Sequence, residues 1–366
     1  MQKELARRLL SATLNWSDED IELYLDKISN FAELKYDEYQ QYRPGSRFLE
    51  KLSEWLSQFD EGKDRETAIH FVLDKMVFIS ASEMYRLIEA VYPTRILPIL
   101  LEEAHGLSFS NAQENSDIIR LLKTQSLFFA MSDGARIDIL RRSAFLEHDQ
   151  VSVDYNVSTD KFTEMISEMK KRAKTISAND PAVQEVPLGI HHVFLLDDFS
   201  GSGISYLREE GQNYKGKIKK VIDHLNSTIQ SYNEKNSDTI SRNGIKIHIV
   251  LYLATKKAVD RIRKLLTQIS DSLGDYAIDI DCVQYVEPTK LSKEEESLFE
   301  KHYNSVKDAV EDSHYKKGST SKPYYGFDGC GLSLVIYHNT PNNSFPILWA
   351  GEHALFPRVT RHKDVR

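Results

Sequence analysis

Residues 193–205 read V-F-L-L-D-D-F-S-G-S-G-I-S, an apolar run that reaches two adjacent carboxylates and passes into a loop of small residues. Gly201 and Gly203 allow backbone angles closed to other residues, and let the chain approach a ligand with no Cβ in the way. The amide N–H groups of Ser200, Gly201, Ser202, Gly203, Ile204 and Ser205 can then converge on one anion, with the serine hydroxyls as further donors. A helix starting near Ile204 would add its positive end. Such a set suits a phosphate. Asp197 and Asp198 are poor partners for that phosphate, but they suit the hydroxyls of a neighbouring sugar or a divalent cation. Phosphate donors beside polyol acceptors describe a ribose 5-phosphate. The plain alternative is a strand followed by a serine-rich turn.

A second constellation lies upstream. The apolar run Ser126–Met131 leads into Ser132-Asp133-Gly134-Ala135-Arg136 and a helix-like stretch Ile137–Ala144. Here Gly134 would permit close approach and Arg136 would face an anion, with Asp133 as a simple helix cap in the plain reading. Lys256 and Lys257 follow another apolar run, where they either see phosphate or stand exposed at a helix start. Near the end, His338 and Asn339 follow the run Leu332–Tyr337, ahead of Asn342 and Asn343. The first two would orient a base or act on a leaving group; a turn held by asparagine side chains is the other reading.

These groups need a frame. Apolar runs of strand length at 126–131, 150–155, 192–196, 245–254, 277–286 and 332–337 are interleaved with helix-like stretches at 159–174, 214–235 and 257–273. Strands apolar throughout and alternating with helices predict an α/β fold with a mostly parallel sheet covered on both faces. Ligands of such sheets sit beyond the carboxyl ends of the strands, where the 197–205 segment falls. The first 105 or so residues read as helical, with Ser17-x-x-Asp20 and Ser80-x-x-Glu83 as helix starts. We expect residues 1–110 to form a helical or winged-helix interaction domain and 111–366 the α/β domain. The polar segments 177–189 and 287–323 read as surface loops.

Composition narrows the classes. The 366 residues carry a net charge of −8, so no surface-wide nucleic-acid footprint is expected. Basic clusters at 170–174, 215–220 and 358–366 read as solvated helix faces or tails, with a local nucleic-acid contact as the other reading. Two cysteines give neither a disulfide framework nor a zinc pattern. No run approaches the roughly 18 apolar residues of a membrane span, and the N-terminus lacks a signal-peptide pattern. A cytoplasmic protein is expected.

The 195–205 stretch resembles the PRPP-binding motif of type I phosphoribosyltransferases. Leu195-Leu196 stand for its apolar pair, Asp197-Asp198 for its acids and Ser202-Gly203-Ile204-Ser205 for its closing Thr/Ser-Gly-x-Thr/Ser. The resemblance implies a Rossmann-like type I fold, a loop that grips the 5-phosphate, and acids that address the ribose hydroxyls. It also implies Mg²⁺ bound through the ligand beside Asp197 and Asp198, and a second anion loop at 132–136. With the helical front, SDGARID and YHNTPNN, the chain is similar to phosphoribosyltransferase-like effectors of bacterial anti-phage systems, among them those of certain retrons. That likeness implies a PRPP-like or nucleotide ligand and, as partners, a reverse transcriptase with its RNA-linked DNA; a homo-oligomer stays open. The rival readings are a non-catalytic nucleotide sensor and a scaffold. Missing base-pocket signatures favour the sensor, whereas the scaffold would hold a partner complex through residues 1–105.

Overall fold

The computed structural model describes residues 2–14, 16–211, 213–269, 276–311, 315–318 and 320–358. The chain forms two compact units: residues 1–84 together with 287–366, and residues 85–286. These do not follow the expected boundary at 110/111. The first unit opens with helices α1 (Gln2–Leu14), α2 (Asp18–Leu34), α3 (Phe48–Ser57) and α4 (Lys63–Asp74), then strand β1 (Val77–Ile79). Ser17 caps α2 by accepting from the Asp20 N–H at 3.1 Å. Ser80 and Glu83 close a reciprocal capping box (3.1 and 2.8 Å) at the start of α5 (Ala81–Val91). Among the described residues of 1–110, β1 is the sole strand and there is no antiparallel wing.

Residues 85–286 hold the parallel sheet. Helices α6 (Leu97–Gly106) and α7 (Asp117–Thr124) precede β2 (Ser126–Ala130), α8 (Ile137–Ser143), β3 (Val151–Ser152), α9 (Thr159–Ser177) and α10 (Pro181–Gln184). Then come β4 (His192–Ser200), a hairpin of β5 (Arg208–Glu210) and β6 (Asn213–Lys215), α11 (Lys217–Lys235), β7 (Lys246–Ala254), α12 (Lys256–Ile269) and β8 (Ala277–Tyr285). The sheet order is β3-β2-β4-β7-β8, with every pair parallel. The α/β expectation therefore holds, and the predicted strands at 126–131, 150–155, 192–196, 245–254 and 277–286 all lie in this sheet. Strand β2 is buried along its whole length and β4 over its first six residues, as a sheet covered on both faces requires. Helix α11 lays Ile218, Val221, Ile222, Leu225 and Ile229 on one stripe against the same core as Val193 and Leu195 of β4. Strand β8, at the edge, alternates instead and turns Asp279 and Asp281 outward, which discourages further pairing. By sheet strand number the order is 2-1-3-4-5. The strand order reverses between β2 and β4, so the crevice beyond their carboxyl ends is the ligand position of such folds.

The C-terminal part of the first unit departs from the sequence reading. Segment 287–323 is not an irregular loop, because its centre is the 18-residue helix α13 (Lys293–Val310), opened by a Ser292/Glu295 capping box. Glu295 also meets Lys75 at 2.6 Å. Strand β9 (Leu334–Ile336) does not join the large sheet; it pairs in parallel with β1, Phe78 opposite Val335. The short α14 (Pro346–Trp349) follows.

Candidate functional site

Strand β4 runs four residues further than its apolar run, with Asp197 opposite Leu251 and Ser200 opposite Ala254 of β7. Both aspartates are therefore strand residues, and neighbours in a strand face opposite sides of the sheet. Asp197 shares the face of Val193 and Leu195 and is fully buried (0% exposed). Its Oδ2 accepts from Lys217 Nζ at 2.6 Å and from the Tyr206 hydroxyl, and its Oδ1 from the Ser132 hydroxyl. Burial and the nearby Asp198 charge raise the Asp197 pKa, against the opposing pull of Lys217 and Ser132. Burial, then the same two carboxylates, hold the Tyr206 hydroxyl far above its ordinary value, so it stays a donor. Asp197 is a buried junction of three segments. The expectation that both acids face a sugar is corrected for this one.

Asp198 is half-buried on the other face. Its Oδ1 accepts from the Phe199 N–H at 2.8 Å, and its carboxylate lies over Gly134: a Cβ there would come within 2.5 Å of Asp198 Oδ2. Gly134 is thus needed for close approach, but of Asp198 rather than of a ligand. Beneath them Tyr252, fully buried, donates to the Ala135 carbonyl and so ties the 132–136 turn to β7.

The loop itself has two unlike sides. Its carbonyls are engaged: Ser200 O accepts from Thr255 N–H (3.1 Å) and Gly201 O from the Thr255 hydroxyl (2.6 Å). Ser202 O accepts from Arg261 Nη1 at 2.7 Å, and Gly203 O from the N–H groups of Tyr206 and Leu207. By contrast, the N–H groups of Ser202, Gly203 and Ser205 find no acceptor among the described residues. The buried Ser200 hydroxyl is also without a partner there. The Ile204 N–H reaches only its own loop, at Ser202 Oγ, 3.3 Å away. Gly203 has φ +77°, and a Cβ on it would sit 3.0 Å from the Ala258 carbonyl, so both angle and space call for glycine. A peptide run pinned by its carbonyls with its N–H groups unused has the donors to bind an anion.

No helix starts at Ile204. The β5–β6 hairpin intervenes, closed at its base by Lys217 N–H to Ser205 O (3.0 Å) and Ile218 N–H to Tyr206 O (3.1 Å). Gly216 makes that closure possible: its φ is +138°, and a Cβ would collide with the Tyr206 carbonyl at 2.2 Å. Helix α11 then starts where Lys217, its first residue, reaches back to Asp197.

In the upstream turn, Ser132 is bound to Asp197, while Asp133 is exposed in a short 3-10 turn, Asp133–Ala135. Arg136 adopts a left-handed conformation (φ 38°), contacts Asp138 (3.3 Å) and lies 5.4 Å from the Tyr85 ring centre. Lys256 pairs with Asp260 at 2.7 Å. His338 and Asn339 belong to the first unit, in the turn after β9. There the His338 carbonyl accepts from Gln41 Nε2 (2.7 Å), and Asn339 and Ile336 exchange backbone bonds. Asn343 holds this region by donating to the Phe327 carbonyl at 3.1 Å, the plain role foreseen for it. Of the basic clusters, Lys215 and Lys219 pair with Glu210 and Asp223 on the surface, and the tail beyond Arg358 lies outside the described residues.

The sequence reading missed Lys217, Tyr206, Thr255 and Arg261. Only Thr255 carried a signal, as a Thr-x-x-Ala start to α12, where its hydroxyl accepts from the Ala258 N–H at 3.0 Å. Among the described residues no cluster of three or more His, Cys, Asp or Glu side chains gathers to hold a metal. Asp197 does not fit one, since lysine and two hydroxyls occupy it. Asp198 fits a Mg²⁺ held mainly by ligand phosphates and water.

A family model, PRTase-CE, matches residues 52–358. Comparison with curated proteins gives no match, and neither does comparison with solved structures.

Proposed function

The chain belongs to the phosphoribosyltransferase-like PRTase-CE family, and on that basis we propose that it binds a ribose 5-phosphate unit, in a PRPP-like or nucleotide ligand, and transfers it at C1. The observation that carries this reading is the cradle: the N–H groups of Ser202, Gly203 and Ser205 are unused while the carbonyls of residues 200–203 are all engaged. The phosphate accepts from those N–H groups and from the Ser200 hydroxyl. Asp198 accepts from ribose hydroxyls and favours the oxocarbenium-like state, in which positive charge develops on the ring. Remote phosphate binding then positions the anomeric carbon. The C1 bond breaks with its electron pair leaving on the departing group, the acceptor's lone pair forms the new bond, and the acceptor's proton goes to solvent. Mg²⁺, held by the ligand and Asp198, would neutralise a departing diphosphate.

Within this proposal the protein is a cytoplasmic effector of anti-phage defence, partnered by a reverse transcriptase and RNA-linked DNA; co-purification of that complex tests the assignment. No helix among the described residues is long and apolar enough to cross a membrane. A nucleotide-sensing regulator is the second reading, favoured by the burial of Asp197, which leaves one carboxylate for the sugar. Calorimetric titration with ribose 5-phosphate, against ribose and inorganic phosphate, tests the site. Tight binding of ribose 5-phosphate alone, weakened at least tenfold in Asp198→Asn and Ser205→Asp, is expected; no binding, or binding untouched by both, overturns it. Turnover of PRPP or a nucleotide by the wild type, lost in Asp198→Asn, separates transferase from sensor.

A further inference from the structure

Behind the cradle lies a second cavity that the ribose 5-phosphate reading leaves unused. A cleft of about 510 Å³ opens between the β5–β6 hairpin and α12. Its walls include Ile204 and Leu207 of the loop, Arg208 and Glu209 of the hairpin, and Arg261 and Lys264 of α12. Three cations face one carboxylate. Arg208 is only loosely paired with Glu210, at 3.9 Å, and Glu210 meets Lys215 more closely at 2.7 Å. Lys264 has no ion-pair partner among the described residues. The cleft adjoins the cradle at Ile204, which lines it, while Gly203 and Ser205 on either side offer unused N–H groups. Arg261 belongs to both, as it lines the cleft and donates to the Ser202 carbonyl.

We infer that this cleft takes a further phosphate attached through the 5-phosphate, so that the ligand is a nucleotide extended on its 5′ side. The inference rests on the ribose 5-phosphate reading of the loop. A sugar monophosphate ends at the cradle and would leave Arg208 and Lys264 idle. A ligand that continues past its 5-phosphate carries more negative charge along the loop toward Arg208, where guanidinium and ammonium groups suit phosphate oxygens. Two sources share this chemistry: a nucleoside 5′-triphosphate, and a nucleotide inside a strand whose 5′ phosphate continues to the next residue.

The test compares ribose 5-phosphate, AMP, ATP and the 5′-phosphorylated dinucleotide pApA as ligands of the full chain, at one fixed magnesium concentration. Wild-type protein should bind ATP or pApA at least tenfold more tightly than AMP. In the double variant Arg208→Gln/Lys264→Gln that ratio should fall to within twofold. ATP ahead of pApA marks a mononucleotide source and the reverse order a strand; either supports the inference. AMP bound as tightly as both, or a preference that survives the double variant, overturns it while the cradle reading stands. Failure of ribose 5-phosphate and AMP to bind at all would instead sink the cradle reading and this inference with it. Circular dichroism of the double variant confirms that an altered ratio does not reflect unfolding.

Discussion

Replacing Lys217 by methionine keeps the aliphatic stem and removes the ammonium that lies 2.6 Å from Asp197 Oδ2. Stripping one partner from a buried pair costs about 3–5 kcal/mol, because the other charge stays buried and uncompensated. Two features lower the figure here. The Lys217 side chain is 35% exposed, so solvent already screens the pair, and Ser132 and Tyr206 still donate to the carboxylate afterwards. We expect a loss of about 2 kcal/mol at pH 7, read by urea unfolding followed by circular dichroism. The pH dependence carries a second check. Burial, then Asp198, raises the Asp197 pKa, and Lys217 is the main opposing influence. A carboxyl raised in the folded state is fully tolerated below its unfolded pKa, and its ionisation weakens the fold as pH rises through the folded value. Without Lys217 that value climbs further, so the deficit of Lys217→Met should shrink as pH falls from 7 toward about 4, the ordinary carboxylate range. Lys217→Met/Asp197→Asn, which removes both charges, should regain at least about 1 kcal/mol over the single variant. A deficit under about 0.5 kcal/mol, one equal at pH 7 and pH 5, or a double variant no better than the single, refutes Asp197 as a buried ionic junction.

Other consequences follow from the same geometry. Gly134→Ala puts a methyl within 2.5 Å of Asp198 Oδ2, so affinity for ribose 5-phosphate in titration calorimetry should fall at least tenfold, with a stability loss of about 1–2 kcal/mol. Thr255→Val removes the hydroxyl that accepts from Ala258 and donates to Gly201; unfolding should show a loss of about 1–2 kcal/mol. His192 Nδ1 and His248 Nε2 lie 3.0 Å apart inside the sheet, and burial pushes their pKa values down to about 2 and about 4. Depressed histidines stabilise the fold fully above the unfolded value near 6.5 and lose that contribution as pH falls toward the folded values. Each should therefore cost about 1.6 kcal/mol between pH 6.5 and 5 in unfolding titrations, and His192→Phe/His248→Phe should flatten that slope.

The sequence by itself determined the local chemistry. Periodicity separates five core strands from the helices between them, and Ser80 and Glu83 mark a helix start that needs only four consecutive residues. The spacing of Gly201, Gly203 and their serines marks the candidate anion loop, because a run of neighbouring N–H groups is built from neighbours in the chain. Tertiary structure decided what depends on distant residues. Asp197 and Asp198 read alike in a row of letters; strand pleating sends them to opposite faces, and Lys217, twenty positions on, turns one of them into a buried junction. That contact exists only because the β5–β6 hairpin is closed at its base, which returns α11 to the loop. Pairing of β1 with β9, some 257 residues apart, likewise assigns the C-terminal stretch to the first unit through backbone bonds that side-chain patterning does not encode. Periodicity reports which face of an element is buried, whereas the identity of the neighbour across that face is set by the fold as a whole.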